Sequence, residues 1–319
     1  MAYAQGGLIT ASDYNSFSWG GTQGTYTASP VNLAYVLGIG NGQFGYGQTV
    51  SSINTVAAAS TVTAVQWSGL LSGINACLGH QSGAGAVLTV PTITAGGTIT
   101  YSAALINAVT VIGTNKALYT AQGTTTTGTV FSPNFTVVAT TAAQTWTFSR
   151  TITFASADQA RYFINAGGQL NFVTTTVTNG DATNRSADWV TLIGTNLGSI
   201  SGIKGLTNGG RSGTGGTLNT NNTALGYWNS TTTAQNVVQV TSTTAAYTGD
   251  YVIASIKTNG LIGTHADNGT VMTLTFTVYS AAKALSFNES INVTWNHRID
   301  VVYPETTYLG NSWGAVTIA

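Results

Sequence analysis

Charged side chains are nearly missing from this chain: they make up 6% of its 319 residues, against roughly 25% in an ordinary soluble domain. The nine basic and nine acidic residues cancel to a formal net charge of zero. No basic field exists to gather a polyanion, so nucleic-acid binding, which rests on phosphate neutralisation, is not expected. Cysteine is reduced to one residue, Cys77, which excludes an intrachain disulfide, and the three histidines are scattered without metal-ligand spacing. Neither a metal nor another cofactor is expected, and Cys77 reads as a small buried apolar side chain. No apolar run approaches the roughly 18 residues of a membrane span. The opening MAYAQGGLITASDYN also lacks the basic and apolar segments of a secretory signal. The expectation is a soluble product of a cytoplasm, with no membrane insertion.

What is present is apolar and aromatic. With 43% hydrophobic and 10% aromatic residues the chain does not suit disorder, and its length allows two domains with cores of their own. Charge is split unevenly, because Asp13 is the single charged residue before Lys116 and the other seventeen follow. The polar run AQGTTTTGTV at 121–130 reads as a linker near that shift. The predicted organisation is a helical, nearly uncharged assembly or attachment domain over 1–125 and a β-rich outer domain over 126–319. The fold class is mainly β, with a small helical N-terminal region and an antiparallel β-sandwich C-terminal domain.

The hydrophobic period supports that split. Trp67, Leu70, Leu71, Ile74, Cys77 and Leu78 fall on one face of a helix opened by a Thr63/Gln66 capping box, with Gly79 placed to end it. Thr10 and Asp13 repeat the cap signal, and Tyr101, Leu105, Val109 and Ile112 mark a third helix after another Ile-Thr pair. Beyond the 121–130 run the period becomes two, in WTFSRTITF (Trp146, Phe148, Ile152, Phe154), in MTLTFTVY from Met272, and in INVTWNHRIDVV (Ile291, Val293, Trp295, Ile299, Val301). Turns such as TNG at 258–260 and DNG at 267–269 favour antiparallel hairpins. Two helices interrupt the strands, one capped by Ser156 and one placing Trp189, Leu192, Ile193 and Leu197 on a single face.

Chemistry is harder to find. Gly40, Gly42 and Gly45 spell the G-x-G-x-x-G of a dinucleotide turn. No helix opens after them and no acid follows until Asp158, so a structural glycine loop is the expectation. Asp181 and Asp188 flank Arg185 without the spacing of a calcium loop and read as turn and cap acids. His297 falls on the apolar face of its strand and reads as a core or interface histidine, while His80 and His265 have no visible partner. Arg150 sits on the apolar face of WTFSRTITF, so it needs a carboxylate or carbonyl partner within the domain or across a subunit interface. The Asn-x-Ser/Thr triplets follow from a Thr- and Asn-rich composition and carry no meaning here.

The order of segments LITASDYN at 8–15, GNGQFGYGQT at 40–49, VTAVQWSGLLSGIN at 62–75, ARYFINAGGQL at 160–170, SADWVTLI at 186–193 and DNGTVMTLTFTV at 267–278 resembles a family of tailed-bacteriophage virion structural proteins. Each piece is short, but together they cover nearly the whole chain. The resemblance implies a non-enzymatic virion component in repeated copies, made in the host cytoplasm, with no cofactor and no catalytic residues to carry over. It also implies that the glycines of the 45–48 segment are structural. Partners would be other copies of the chain and other virion proteins. The resemblance does not fix head, collar or tail; the expectation is a tail or appendage protein, with a capsid decoration or head-fibre protein as the alternative.

Contact candidates follow from the uncharged region, which is poorly suited to a solvated surface. They are Tyr14, Phe17, Trp19, Tyr35, Phe44 and Tyr46, joined by Arg150, and the alternative reading of the aromatics is local core. From a different class, a carbohydrate-binding β-sandwich adhesin for a host-surface glycan would use Tyr227 and Trp228 as stacking platforms. A hydrolase needs a nucleophile and base that no pattern in the chain supplies.

Overall fold

The computed structural model describes residues 10–20, 22–26, 31–83, 88 and 103–319. The fold is mainly β, two antiparallel sheets packed as a sandwich with a helical N-terminal region set against it.

Local sequence explains most of the N-terminal helices. In α1 (Ala11–Ser18) the Asp13 carboxylate accepts the Thr10 N–H at 2.8 Å while Thr10 Oγ1 accepts the Asp13 N–H, so each side chain satisfies an orphan donor of the first turn. The short α2 (Leu33–Leu37) is capped by Asn32, whose Oδ1 accepts the Tyr35 N–H at 2.8 Å. All five of its residues are buried, which removes the polar face that would have made it visible as a periodic pattern. In α3 (Ala64–Ser82) the Thr63/Gln66 capping box forms as expected, and Trp67, Leu70, Leu71, Ile74, Cys77 and Leu78 are buried. The helix does not stop at Gly79, however. It runs to Ser82 and ends at Gly83, whose φ of +82° suits glycine. Gly79 is needed for another reason, since a Cβ there would overlap the ring of Tyr308. In α4 (Ala103–Thr114) Leu105, Val109 and Ile112 are buried. Its predicted opening at 99–100 and Tyr101 lie outside the described residues, as do 8–9 of the first helix's opening.

The first sheet has the order β1 (Gln122–Thr126), β10 (Ile291–Pro304), β4 (Gln169–Asn179), β5 (Ile200–Ile203), with β2 (Asn134–Val137) also paired to β10. The second has the order β11 (Val316–Ile318), β3 (Gln144–Phe154), β9 (Val271–Ser280), β8 (Tyr251–Thr258), β7 (Gln235–Thr241), β6 (Thr217–Asn221). The polar run at 121–130 is therefore not a linker: β1 lies within it and pairs antiparallel with residues 301–304 of β10. A boundary at 125 would cut this strand.

Alternation carries the sandwich core as expected. Met272, Leu274, Phe276 and Val278 of β9 are buried, and so are Ile291, Val293, Trp295, His297, Ile299 and Val301 of β10. The sheets meet where Phe172 of β4 lies 4.3 Å, centroid to centroid, from Phe276 and Trp295 lies 4.9 Å from the same ring. Two helical segments pack around this core. α5 (Ala157–Asn165) is capped by Ser156, and α6 (Asn184–Val190), capped by Thr183, continues as a π-helical stretch over Thr191–Leu197. Trp189 is fully buried edge-on to Phe135 at 5.7 Å, with Leu192, Ile193 and Leu197 buried beside it.

Candidate functional site

The aromatic residues expected at an assembly interface belong to the interior. Tyr14, Phe17, Trp19, Tyr35 and Tyr46 are buried within the chain. Small helices leave gaps that large rings fill: Tyr14 packs 6.4 Å from Trp67, Trp19 packs 5.3 Å from Tyr26, and Tyr35 packs 4.7 Å from Phe44. Burial pushes the Tyr14 hydroxyl up to about 12. Phe44 alone is half-buried, with Lys116 Nζ 4.2 Å above its ring. As interface candidates the five buried rings are thus corrected to core residues of the helical region.

The glycine loop at 40–48 has the wrong polarity to cradle a phosphate, which requires N–H groups turned outward. Its N–H groups fold back on the chain: Tyr46, Gly47 and Gln48 donate to the carbonyls of Val36, Gly38 and Leu37 at 3.0, 2.8 and 2.9 Å. Its carbonyls face α5 instead. Asn165 Nδ2 donates to Gly42 O and Gly45 O at 3.2 and 3.1 Å, and the buried Arg161 donates to Phe44 O at 2.9 Å. Gly45 has φ +100° and a Cβ on it would overlap Ile39 O, so the turn admits no side chain there. Asp158 completes this junction, accepting from Arg161 at 2.9 Å and lying 2.8 Å from His265 Nδ1, while the His265 backbone N–H donates to Asn41 Oδ1. Partial burial alone would raise the Asp158 carboxyl, but hydrogen bonds from Arg161 and His265 outweigh it and hold the group below its ordinary value.

A second polar seam joins the helical region to the segment after β10. Gln48 Nε2 donates to Gly310 O at 2.8 Å and Gln48 Oε1 accepts the Gly310 N–H at 2.8 Å. His80 Nδ1 lies 3.1 Å from Glu305 Oε1, both buried. Burial lowers His80 against the pull of Glu305, and the bonds from His80 and Thr307 hold Glu305 low despite its burial. A groove of about 970 Å³ between β1 and residues 303–315 passes this seam, but Glu305, its acid, faces His80.

Arg150 finds a ring and a carbonyl rather than a carboxylate. Its guanidinium carbon lies 3.7 Å from the Phe131 centroid, and Nη1 donates to Ser149 O at 2.8 Å. Asp181 and Asp188 do not hold Arg185. Asp181 accepts from Thr183 and Ser290, Asp188 accepts from Ser242 and Thr244, and Arg185 donates to Thr140 O, Glu289 O and Ser280 Oγ. Among the described residues no three His, Cys, Asp or Glu side chains stand close enough to hold a metal ion. No helix among them is long and apolar enough to cross a membrane.

Tyr227 and Trp228 part company. Tyr227 is buried in the core, a correction to its place as a glycan contact, while Trp228 is half-buried and lines a cleft of about 210 Å³. Lys116, Tyr119, Lys204, Gln43 and Asn165 line the same cleft. The sequence reading named Trp228 but missed both lysines, which are 88 positions apart and share no motif with it. No protein-family model, curated protein or solved structure matches this chain.

Proposed function

We propose that the chain is a non-enzymatic structural component of a tailed-phage virion, a tail or appendage protein that assembles in multiple copies with itself and with other virion proteins. The observation that carries this reading is where the resembling segments sit. The 40–49 segment rests on α5 of the 160–170 segment through Arg161 and Asn165, His265 beside the 267–278 segment meets Asn41 and Asp158, and the 186–193 segment buries Trp189. Residues at such positions hold an architecture together, which supports reading the resemblance as one of build rather than of reaction.

With the aromatic rings in the core, subunit contacts fall to exposed apolar side chains of the N-terminal part: Val65 of α3, Ile106 and Val111 of α4, and Leu118 just beyond Lys116. The test is the mass and negative-stain image of the full-length chain across concentrations. Defined trimers, rings or filaments are the expected result, and Val111→Asp with Ile106→Asp shifts them to smaller species. A strict monomer at every concentration overturns self-assembly.

A second reading, a glycan-binding module, is favoured by one observation: the partly buried Trp228 lines a cleft of about 210 Å³, large enough for one sugar ring.

A further inference from the structure

We infer that the Trp228 cleft binds a carboxylate-bearing sugar residue, the two lysines receiving the carboxylate and the indole stacking on the ring. The inference rests on the glycan-binding reading and adds to it the charge of the ligand.

The distribution of charge argues for it. Across the chain the cations are mostly accounted for: Arg161, Lys283 and Arg298 pair with Asp158, Asp250 and Asp300, and Arg150, Arg185 and Arg211 donate to backbone carbonyls. Three lysines form no ion pair among the described residues: Lys257, exposed on β8, and Lys116 and Lys204, which line one cleft with no acidic residue beside them, Lys116 Nζ resting 4.2 Å over the Phe44 ring. The remaining residues 1–115 hold a single acid, Asp13 at the start of α1. Two like charges in a half-enclosed space repel, and an anion between them relieves that repulsion.

The ring-binding half is pre-formed. Trp228 N–H donates to Gly205 O and Tyr227 N–H to Lys204 O, each at 2.8 Å, and Lys204 N–H donates to Thr207 O at 3.0 Å. These bonds clip the lysine-bearing turn to the tryptophan, and the indole edge lies close enough to Gly205 that an added Cβ there would touch its Cδ1 at 3.5 Å. Opposite, Gln169 holds the Tyr119 hydroxyl at 2.6 Å, and Lys204 Nζ lies 6.0 Å from the Tyr119 centroid. Trp228 brings an indole N–H and Gln43 a side-chain amide to the lining, groups able to bond ligand hydroxyls. A volume of about 210 Å³ is below the roughly 300–1,000 Å³ of drug-sized pockets and suits one ring.

The experiment titrates the full-length chain with methyl glucuronide and with methyl glucoside, which share a ring and differ in the carboxylate, by ligand-observed NMR and calorimetry. The expected result is that the glucuronide binds at least about tenfold tighter, weakening with added salt. Lys116→Gln with Lys204→Gln removes that advantage, and Trp228→Leu weakens both sugars, each variant keeping the parent's melting temperature. An acidic oligosaccharide that binds tighter than the methyl glycoside identifies a polysaccharide source, and equal binding identifies the single sugar acid. Equal affinity for the two methyl glycosides, unmoved by the lysine changes, overturns the inference and leaves the glycan reading standing. Binding of neither at millimolar concentration overturns both. Displacement of the glucuronide by an equal concentration of inorganic phosphate, indifferent to Trp228→Leu, reveals a bare anion site and also overturns it.

Discussion

His297 lies in a cage of rings, 5.1 Å from Trp295, 5.3 Å from Phe172 and 5.9 Å from Phe276, with the Arg150 charge nearby. Burial first, and then Arg150, lower its pKa from 6.5 to about 4, against a weak pull from the Trp295 carbonyl. The unfolded chain therefore takes up this proton before the folded one as pH falls. Stability from the neutral ring is complete above pH 6.5 and is lost between about 6.5 and 4, to a total of about 3 kcal/mol. Urea melts of His297→Phe against the parent at pH 7 and pH 4 check this: the variant should lose about 3 kcal/mol less on acidification, and superimposable pH profiles would contradict it. Gly45 gives a second residue-scale prediction. With φ +100° and Ile39 O in the way of a side chain, Gly45→Ala should cost about 2–4 kcal/mol in denaturant unfolding. A cost within about 0.5 kcal/mol, the range of ordinary surface changes, would show that the turn relaxes.

At the scale of elements, the helical region is held to the sandwich by polar seams between segments remote in sequence. Gln48 joins the glycine loop to Gly310 with both its donor and its acceptor, so Gln48→Ala should lower stability by about 1–3 kcal/mol and speed amide exchange at Gly310. The packing of α3 against the Tyr308 ring is steric and has a different signature. Gly79→Ala should cost about 1–3 kcal/mol by displacing the ring. Most of that cost should vanish in a Tyr308→Ala background, where the double-mutant cycle gives a coupling near the single-mutant loss. Additive costs would place the strain elsewhere. Element legibility follows the same division. The capping boxes of α1 and α3 and the alternation of β9 and β10 were readable because each is a relation between near neighbours in the chain. The fully buried α2 and the β1 strand of Thr and Gly offered no such contrast.

For the whole molecule, the buried core runs without interruption from Ala11 to Trp313, taking in the helices and both sheets. A chain built this way should melt in one calorimetric transition, with helical and sheet signals lost together. Two resolved transitions would mean that the helical region unfolds by itself and that the seams at Gln48, Asn165 and His80 contribute little. The proposed virion role adds the expectation that this transition moves up with protein concentration, since association stabilises the folded state by mass action.

The sequence by itself determined the fold class, the caps of α1, α3 and α5, the buried faces of β9 and β10 and the burial of His297, because periodicity and capping depend on residues within a few positions of one another. Only the tertiary structure decided that Tyr14, Trp19 and Tyr46 face inward, that His80 meets Glu305 at a separation of 225 residues, and that Lys116, Lys204 and Trp228 share one cleft. The physical reason is that a local pattern specifies which face of an element is apolar, whereas which faces meet is set by strand order and by the seams that seat the helices. The Trp228 cleft, lined by segments around 43, 116–119, 164–167, 204–207 and 228, lies at such a meeting.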